Sequence, residues 1–163
     1  MNCSAEENIR LSRVLKEIGR GYETGDFTGL YPFLREDCVL TSHWVLSDLA
    51  GRDDVIRYYD GKGKALRRSG CCGRAMLVEL AGRTNPVESS GISLNGDAPV
   101  QGRVGIRYRA GKYCLLMTQE LNGETVRMLV DIKLDKGGMV REINLCEPAM
   151  FAFRRVEESG GNG

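Results

Sequence analysis

The sequence predicts an α+β domain, on three observations: helical periodicity confined to its N-terminal part, period-two alternation from Met76 onward, and hairpin-type turn residues between the later segments. The chain has 163 residues, 42% of them hydrophobic and 28% charged, with 23 Lys and Arg against 22 Asp and Glu. That length suits one domain with a sizeable core. The balanced charge sets it apart from electrostatically driven nucleic-acid binders, and the apolar content sets it apart from disordered chains.

Ser4-Ala5-Glu6-Glu7 has capping-box spacing and starts the first helix. Leu11, Val14, Leu15, Ile18 and Tyr22 then form one apolar stripe, which ends in the Gly-rich stretch to Gly25. Asp26 is placed to cap a short second helix carrying Phe27, Leu30, Tyr31 and Leu34, with Pro32 distorting it. Cys38 to Trp44 reads as a strand. Gly51-Arg52-Asp53-Asp54 opens a third helix with Val55, Ile56, Tyr58, Tyr59 and Leu66 as its larger apolar residues, weakened in its middle by Gly61 and Gly63.

Beyond it, Met76, Val78 and Leu80, then Val104, Ile106 and Tyr108, then Val126, Met128, Val130, Ile132 and Leu134 alternate with other residues as half-buried strands do. Leu121-Asn122-Gly123-Glu124 and Asp135-Lys136-Gly137-Gly138 link strands with turn residues, so the second half reads as an antiparallel meander. Thr84 to Val100, rich in Gly, Ser, Asn and Pro, reads as a loop or an irregular strand entry. One domain is expected over residues 1–154, with a disordered tail over 155–163.

No apolar run approaches the roughly 18 residues of a membrane helix, so no membrane partner is expected. The opening Met1–Glu7 lacks the basic and apolar regions of an export signal, which makes a cytoplasmic location the expectation. In that compartment the six cysteines are expected as thiols. Cys71-Cys72 lacks the spacer of a CxxC ligand pair, and His43 is the only histidine, so no metal and no cofactor is expected. Lys62, Lys64, Arg67, Arg68 and Arg74 form a local basic cluster that could attract a phosphate or carboxylate, with a solvated helix face as the commoner explanation, and nucleic acid is not expected as a partner. Gly61-Lys62-Gly63-Lys64 is no phosphate loop, because Ile56 stands where the first Gly of that motif belongs.

Gly25-Asp26-Phe27, the run Phe33 to Val39, the run Leu49 to Tyr59 and the closing pair Val130 to Ile143 together resemble the nuclear transport factor 2-like superfamily, which includes ketosteroid isomerase and SnoaL-like polyketide cyclases. The resemblance covers most of residues 5 to 147. It implies a cone-shaped fold, with about three N-terminal helices packed on a curved, mostly antiparallel sheet around an apolar pocket. It also implies a homodimer through the outer face of the sheet. Carried over residue by residue, the isomerase pattern places Ser42 at its general-base Asp, Ile18 at its oxyanion-binding Tyr and Val130 at its second acid. Steroid isomerisation by that mechanism is therefore not expected.

The same carry-over turns Tyr22, Tyr58, Tyr59, Cys38, Leu40, Ser42, Leu115, Met117, Gln119, Met128, Val130, Ile143, Leu145 and Glu147 inward, and strand alternation supports the grouping. A mostly apolar lining with a few polar groups suits a small hydrophobic or aromatic molecule. For a cofactor-independent isomerase, dehydratase or cyclase, Glu147 or His43 would handle the proton and Tyr59 or Tyr22 would polarise a carbonyl. Against this, alternation puts His43 on the outer side, and Glu147 before Pro148 also reads as a solvated carboxylate. The competing expectation is a non-enzymatic ligand-binding or dimerisation module, which a pocket filled by Met117, Met128 and the tyrosines would favour.

Overall fold

A computed structural model describes residues 2–43, 47–70, 73–83, 108–121 and 123–156. Helix α1 (Ala5–Thr24) is followed by a single 3-10 turn (Tyr31–Phe33), strands β1 (Leu34–Ser42) and β2 (Leu49–Ala50), and helix α2 (Arg52–Ser69). Strands β3 (Arg74–Arg83), β4 (Tyr113–Leu121), β5 (Glu124–Leu134), β6 (Val140–Cys146) and β7 (Phe151–Arg155) complete a seven-stranded sheet in the order β2-β1-β6-β5-β4-β3-β7. β1 and β6 run parallel and every other pairing is antiparallel.

The α+β class holds, but the described residues contain two α-helices, not three. The expected second helix shrinks to the 3-10 turn for local reasons. Asp26 Oδ1 accepts from the backbone N and the hydroxyl of Thr28, two residues on, which makes a turn instead of a helix cap. Pro32 then removes a donor, and β1 begins at Leu34. The expected strand from Cys38 starts four residues earlier than its alternation indicated. Trp44, Cys71, Cys72, the loop Thr84–Val100, Val104, Ile106 and residues 157–163 lie outside the described residues. At the other end of the domain β7 runs to Arg155, and Val156 N still donates to Leu77 O.

α1 starts as its sequence predicts, with Ser4 Oγ accepting from Glu7 N at 3.1 Å. Glu7 does not reach back to Ser4; its carboxylate takes two hydrogen bonds from Arg109, which hold it below the ordinary carboxylate range. Asn8 adds a second tie, donating to Gly111 O and accepting from Tyr113 N, so the first turns of α1 are fastened to the entry of β4. Leu11, Val14, Leu15, Ile18 and Tyr22, the predicted stripe, are buried against the sheet.

The two helices converge at a pair of glycines. Gly25 ends α1 with φ 80°, a left-handed conformation that an L side chain rarely adopts. A Cβ on Gly63 would lie 2.4 Å from the Gly25 carbonyl oxygen, so α2 passes α1 at backbone contact. The neighbouring Gly61 has open space around its Cβ position.

The middle of the sheet is buried on both faces. The inner face meets the helices, and the outer face carries a second cluster of Val78, Leu80, Cys114, Leu116, Leu129, Cys146 and Phe151. Residues 128 to 132 of β5 are accordingly buried without interruption. Within the outer face Lys112 Nζ lies 2.7 Å from Asp131 Oδ1, both side chains buried. Asn144 donates to the other Asp131 oxygen, and Thr41 donates to Asn144 Oδ1.

Two outcomes in urea unfolding follow. Gly61→Ala should stabilise the chain by about 0.5–1 kcal/mol through helix propensity, whereas Gly63→Ala should destabilise it despite the same propensity gain. Lys112→Met, which strands the Asp131 carboxylate, should cost about 3–5 kcal/mol, and adding Asp131→Asn to it should recover part of that loss.

Candidate functional site

The region between the C-terminal part of α1 and α2 is aromatic. Tyr22 meets Phe27 edge-on at a centroid distance of 5.1 Å, Phe27 lies 4.7 Å from Tyr59, and Tyr58 meets Tyr59 edge-on at 5.1 Å. Tyr22 and Tyr59 are completely buried. Neither hydroxyl has a hydrogen-bond partner among the described residues. Burial pushes both phenols well above 10, and a weak contact between the two hydroxyls modulates the ionisation of each, so they face one another at the margin of hydrogen-bond geometry. Burial also raises the half-buried Tyr58.

Beneath this cluster lies the inner sheet face. Leu40, Met117, Val130, Ile143 and Leu145 are between 0 and 2% exposed, as expected of an inward row, while Ser42, Gln119 and Met128 reach 5 to 8%. All eight are buried, and the last three lie toward one end of the sheet, where β1, β4 and β6 finish and β5 begins. The apolar residues behind them belong, with Tyr22 and Tyr59, to one cluster of buried side chains. α2 leaves from Gly51, whose N donates to Cys38 O at 2.8 Å, and leads toward Arg74 at the start of β3, so its second half lies at that same end. Lys62, four residues after Tyr58 and four before Leu66, is half-buried there, and desolvation lowers its ammonium below the ordinary 10.5.

The residues expected to move protons are placed elsewhere. His43 Nδ1 accepts the backbone N–H of Glu147 at 2.9 Å, while His43 N donates to Leu145 O. In a regular parallel ladder the Glu147 N–H would reach the next carbonyl of β1; the imidazole nitrogen takes it instead, and the ring caps the β1–β6 pairing. With Nδ1 as acceptor the ring proton belongs on Nε2. The Glu147 carboxylate itself is exposed. His43 and Glu147 therefore adjoin through the backbone at the strand ends, while Tyr59 sits in the helix interface, and no hydrogen bond joins it to either among the described residues. No group of three His, Cys, Asp or Glu side chains converges as a metal site among the described residues. Clefts lined by described residues also open on the surface, one of about 850 Å3 along Arg74, Met76, Leu116 and Arg155, and one of about 620 Å3 among Glu36, Asp37, Asp53 and Asp54.

Two features are not resolved by the sequence. The basic cluster of α2 does not by itself distinguish Lys62 from its exposed neighbours, although its spacing from Tyr58 and Leu66 marks the buried side of the helix. The network of Lys112, Asp131, Asn144 and Thr41 had one visible signal, an Asp within the apolar run of β5.

No family model and no curated protein matches the chain. Solved structures do. An NTF2-like protein of unknown function from Mesorhizobium loti superposes with a TM-score of 0.56 at 10% identity, over 90% of this chain and 97% of that one. An NTF2-like protein from Anabaena variabilis gives 0.54 at 8% identity, over 97% and 96%. The fold is the NTF2-like fold. A candidate ketosteroid isomerase from Kribbella flavida shares it, with a TM-score of 0.50 at 10% identity over 96% and 87%. Identities this low speak for the NTF2-like architecture alone, and function rests on the site. No helix among the described residues is long and apolar enough to cross a membrane.

The His43 cap makes a pH prediction. Burial lowers its pKa below the ordinary 6.5, so the folded chain binds fewer protons than the unfolded chain between that lowered value and about 6.5. The stability that the neutral ring contributes is complete above 6.5 and lost as pH falls through that window. Urea midpoints measured from pH 7.5 to 5 should drop more steeply for the wild type than for His43→Asn; parallel slopes would exclude His43 as the titrating group.

Proposed function

We propose that this NTF2-like protein binds a small hydrophobic or aromatic molecule between its helices and the inner sheet face, through an oxygen that pairs with the Tyr22 and Tyr59 hydroxyls. The observation that carries this reading is a pair of fully buried phenols whose hydroxyls have at most a weak contact with each other among the described residues. A buried hydroxyl left unpaired costs about 1–3 kcal/mol, and a carbonyl or hydroxyl group of a ligand would remove that cost at both residues. The lining of Leu40, Met117, Met128, Val130, Ile143 and Leu145 suits an apolar body. Ser42, Gln119 and Met128 mark the end from which it enters, and methionine is the side chain best able to rearrange for it.

Binding has more support than catalysis. The Glu147 carboxylate faces solvent and His43 Nδ1 is occupied by the backbone N–H of Glu147, and neither group is hydrogen-bonded to Tyr59 among the described residues. A homodimer through the centre of the outer sheet face has less support as well, because Leu129, Cys146 and Asp131 are already buried within one chain. The protein is accordingly expected to bind its ligand as a non-enzymatic module.

Two measurements test this. Native mass spectrometry of the purified protein should reveal a retained hydrophobic or aromatic compound, and Tyr22→Phe with Tyr59→Phe should reduce its occupancy. In ligand-free protein, Tyr59→Phe should raise the unfolding free energy by about 1 kcal/mol, since it deletes an unpaired polar group. A loss of stability instead would mean that the hydroxyl is satisfied in the folded chain, and the reading would lose its basis.

A further inference from the structure

The buried face of α2 carries a cation. At about 100° per residue, position 62 falls between Val55 and Tyr58 around the helix, within about 60° of Tyr59 and Leu66. Val55 and Tyr59 are fully buried and Leu66 is 2% exposed, so Lys62 projects from the side of α2 that faces the interior. Its neighbour Lys64 is exposed on the far side, as an ordinary solubilising lysine is. Lys62 has no carboxylate within ion-pair distance among the described residues, whereas Arg57 on the same helix pairs with Asp54 at 2.9 Å. Loss of hydration is the cause of its lowered pKa, with no neighbouring charge contributing.

A half-buried ammonium with no counter-ion is a disfavoured arrangement, since removing a charge from water is costly unless a partner restores the interaction. The surroundings define what that partner can be attached to. Tyr58 lies one turn away on the same face, its ring packed against Tyr59, and the next residue, Gly63, meets the end of α1 at Gly25, beside the tyrosine cluster. We propose that Lys62 is the anion-recognition residue of the interior site, and that the ligand is a hydrophobic or aromatic carboxylate whose charged end meets this ammonium while its apolar body enters toward the tyrosines. This rests on the reading of the interior as a ligand site, and it narrows the ligand from apolar molecules in general to acids.

Matched pairs of probes test it. 1-Naphthoate, 4-phenylbenzoate and decanoate are titrated calorimetrically into the full chain beside their primary amides, which have the same shape and no charge. At least one acid should bind tenfold or more tightly than its amide. Lys62→Met should abolish that preference without weakening the amide, Lys62→Arg should keep it, and Lys64→Met should leave it unchanged. If acids and amides bind alike, or if the preference survives in Lys62→Met, Lys62 only covers the core with its aliphatic stem and the proposal is overturned while the interior site stands. If neither acids nor amides bind, both the proposal and the ligand-site reading fall. Lys62→Gln, which keeps a polar tip of similar length, guards against a packing effect of Met: it should lose the preference too, and retention of the preference there counts against the proposal.

Discussion

The backbone contact between Gly25 and Gly63 sets the distance between the two helices, and the interior of the molecule depends on that distance. With any Cβ at position 63 the helices would have to separate, because the atom opposite is a carbonyl oxygen and not the end of a flexible side chain. At this separation Phe27 wedges between Tyr22 and Tyr59, and the two hydroxyls are brought to one region. Arg67 reinforces the junction by donating to the same Gly25 carbonyl. A glycine that looks like a weakness in the helix when only propensity is considered is therefore a requirement of tertiary packing, which overrides propensity where elements meet.

The sheet imposes a second constraint, on partners. Antiparallel sheets commonly leave one face to solvent or to another copy, but here the middle strand β5 is buried on both faces. Its outward residue Asp131 survives burial because Lys112 neutralises it and Asn144 and Cys114 occupy its oxygens. Burial of an ion pair contributes little net stability, but removing one member is costly, so the network fixes which residues of β4, β5 and β6 stand beside each other. It ties the register of three strands to polar contacts that a one-residue slip would destroy. The same register lines up Met128, Val130 and Ile132 on the inner face.

The parts of this fold that could be read in the sequence are those governed by periodicity. The α1 stripe follows from burial of one helix face and its residues are the ones buried, whereas alternation in β3 and β5 names Val78, Leu80, Met128, Val130 and Ile132, leaves Met76, Val126 and Leu134 half-buried, and misses Leu129 and Asp131, because the middle of the sheet is covered on both faces. The parts governed by a choice between local hydrogen bonds could not be read. Asp26 can cap a helix or close a turn onto Thr28, and only the early start of β1 decides between them. The site divides the same way. Tyr22 and Tyr59 were legible from helical spacing, whereas the attachment of His43 to Glu147 N depends on where two strands end, and strand ends carry no periodic signal. Lys62 was legible in principle, but its chemistry as a charged residue obscured its position on the wheel.

The interior now presents a physical conflict with a direct consequence for binding. A buried hydroxyl left unpaired costs about 1–3 kcal/mol, and two that have only each other, at marginal geometry, leave most of their bonding capacity unused, against the roughly 5–15 kcal/mol that a domain of this kind has in total. Phenylalanine at both positions would give the same aromatic packing without that penalty, and methionine at 62 would give the stem of Lys62 without its desolvated charge. A free chain bearing all three groups is less stable than its own architecture allows. A ligand that pairs with them converts that deficit into binding energy, because it restores interactions that the folded protein lacks and the unfolded protein finds in water. Affinity and the stability of the free chain are then opposed at the same three side chains, and a molecule that satisfies them stabilises the fold in proportion to the logarithm of its concentration over its dissociation constant.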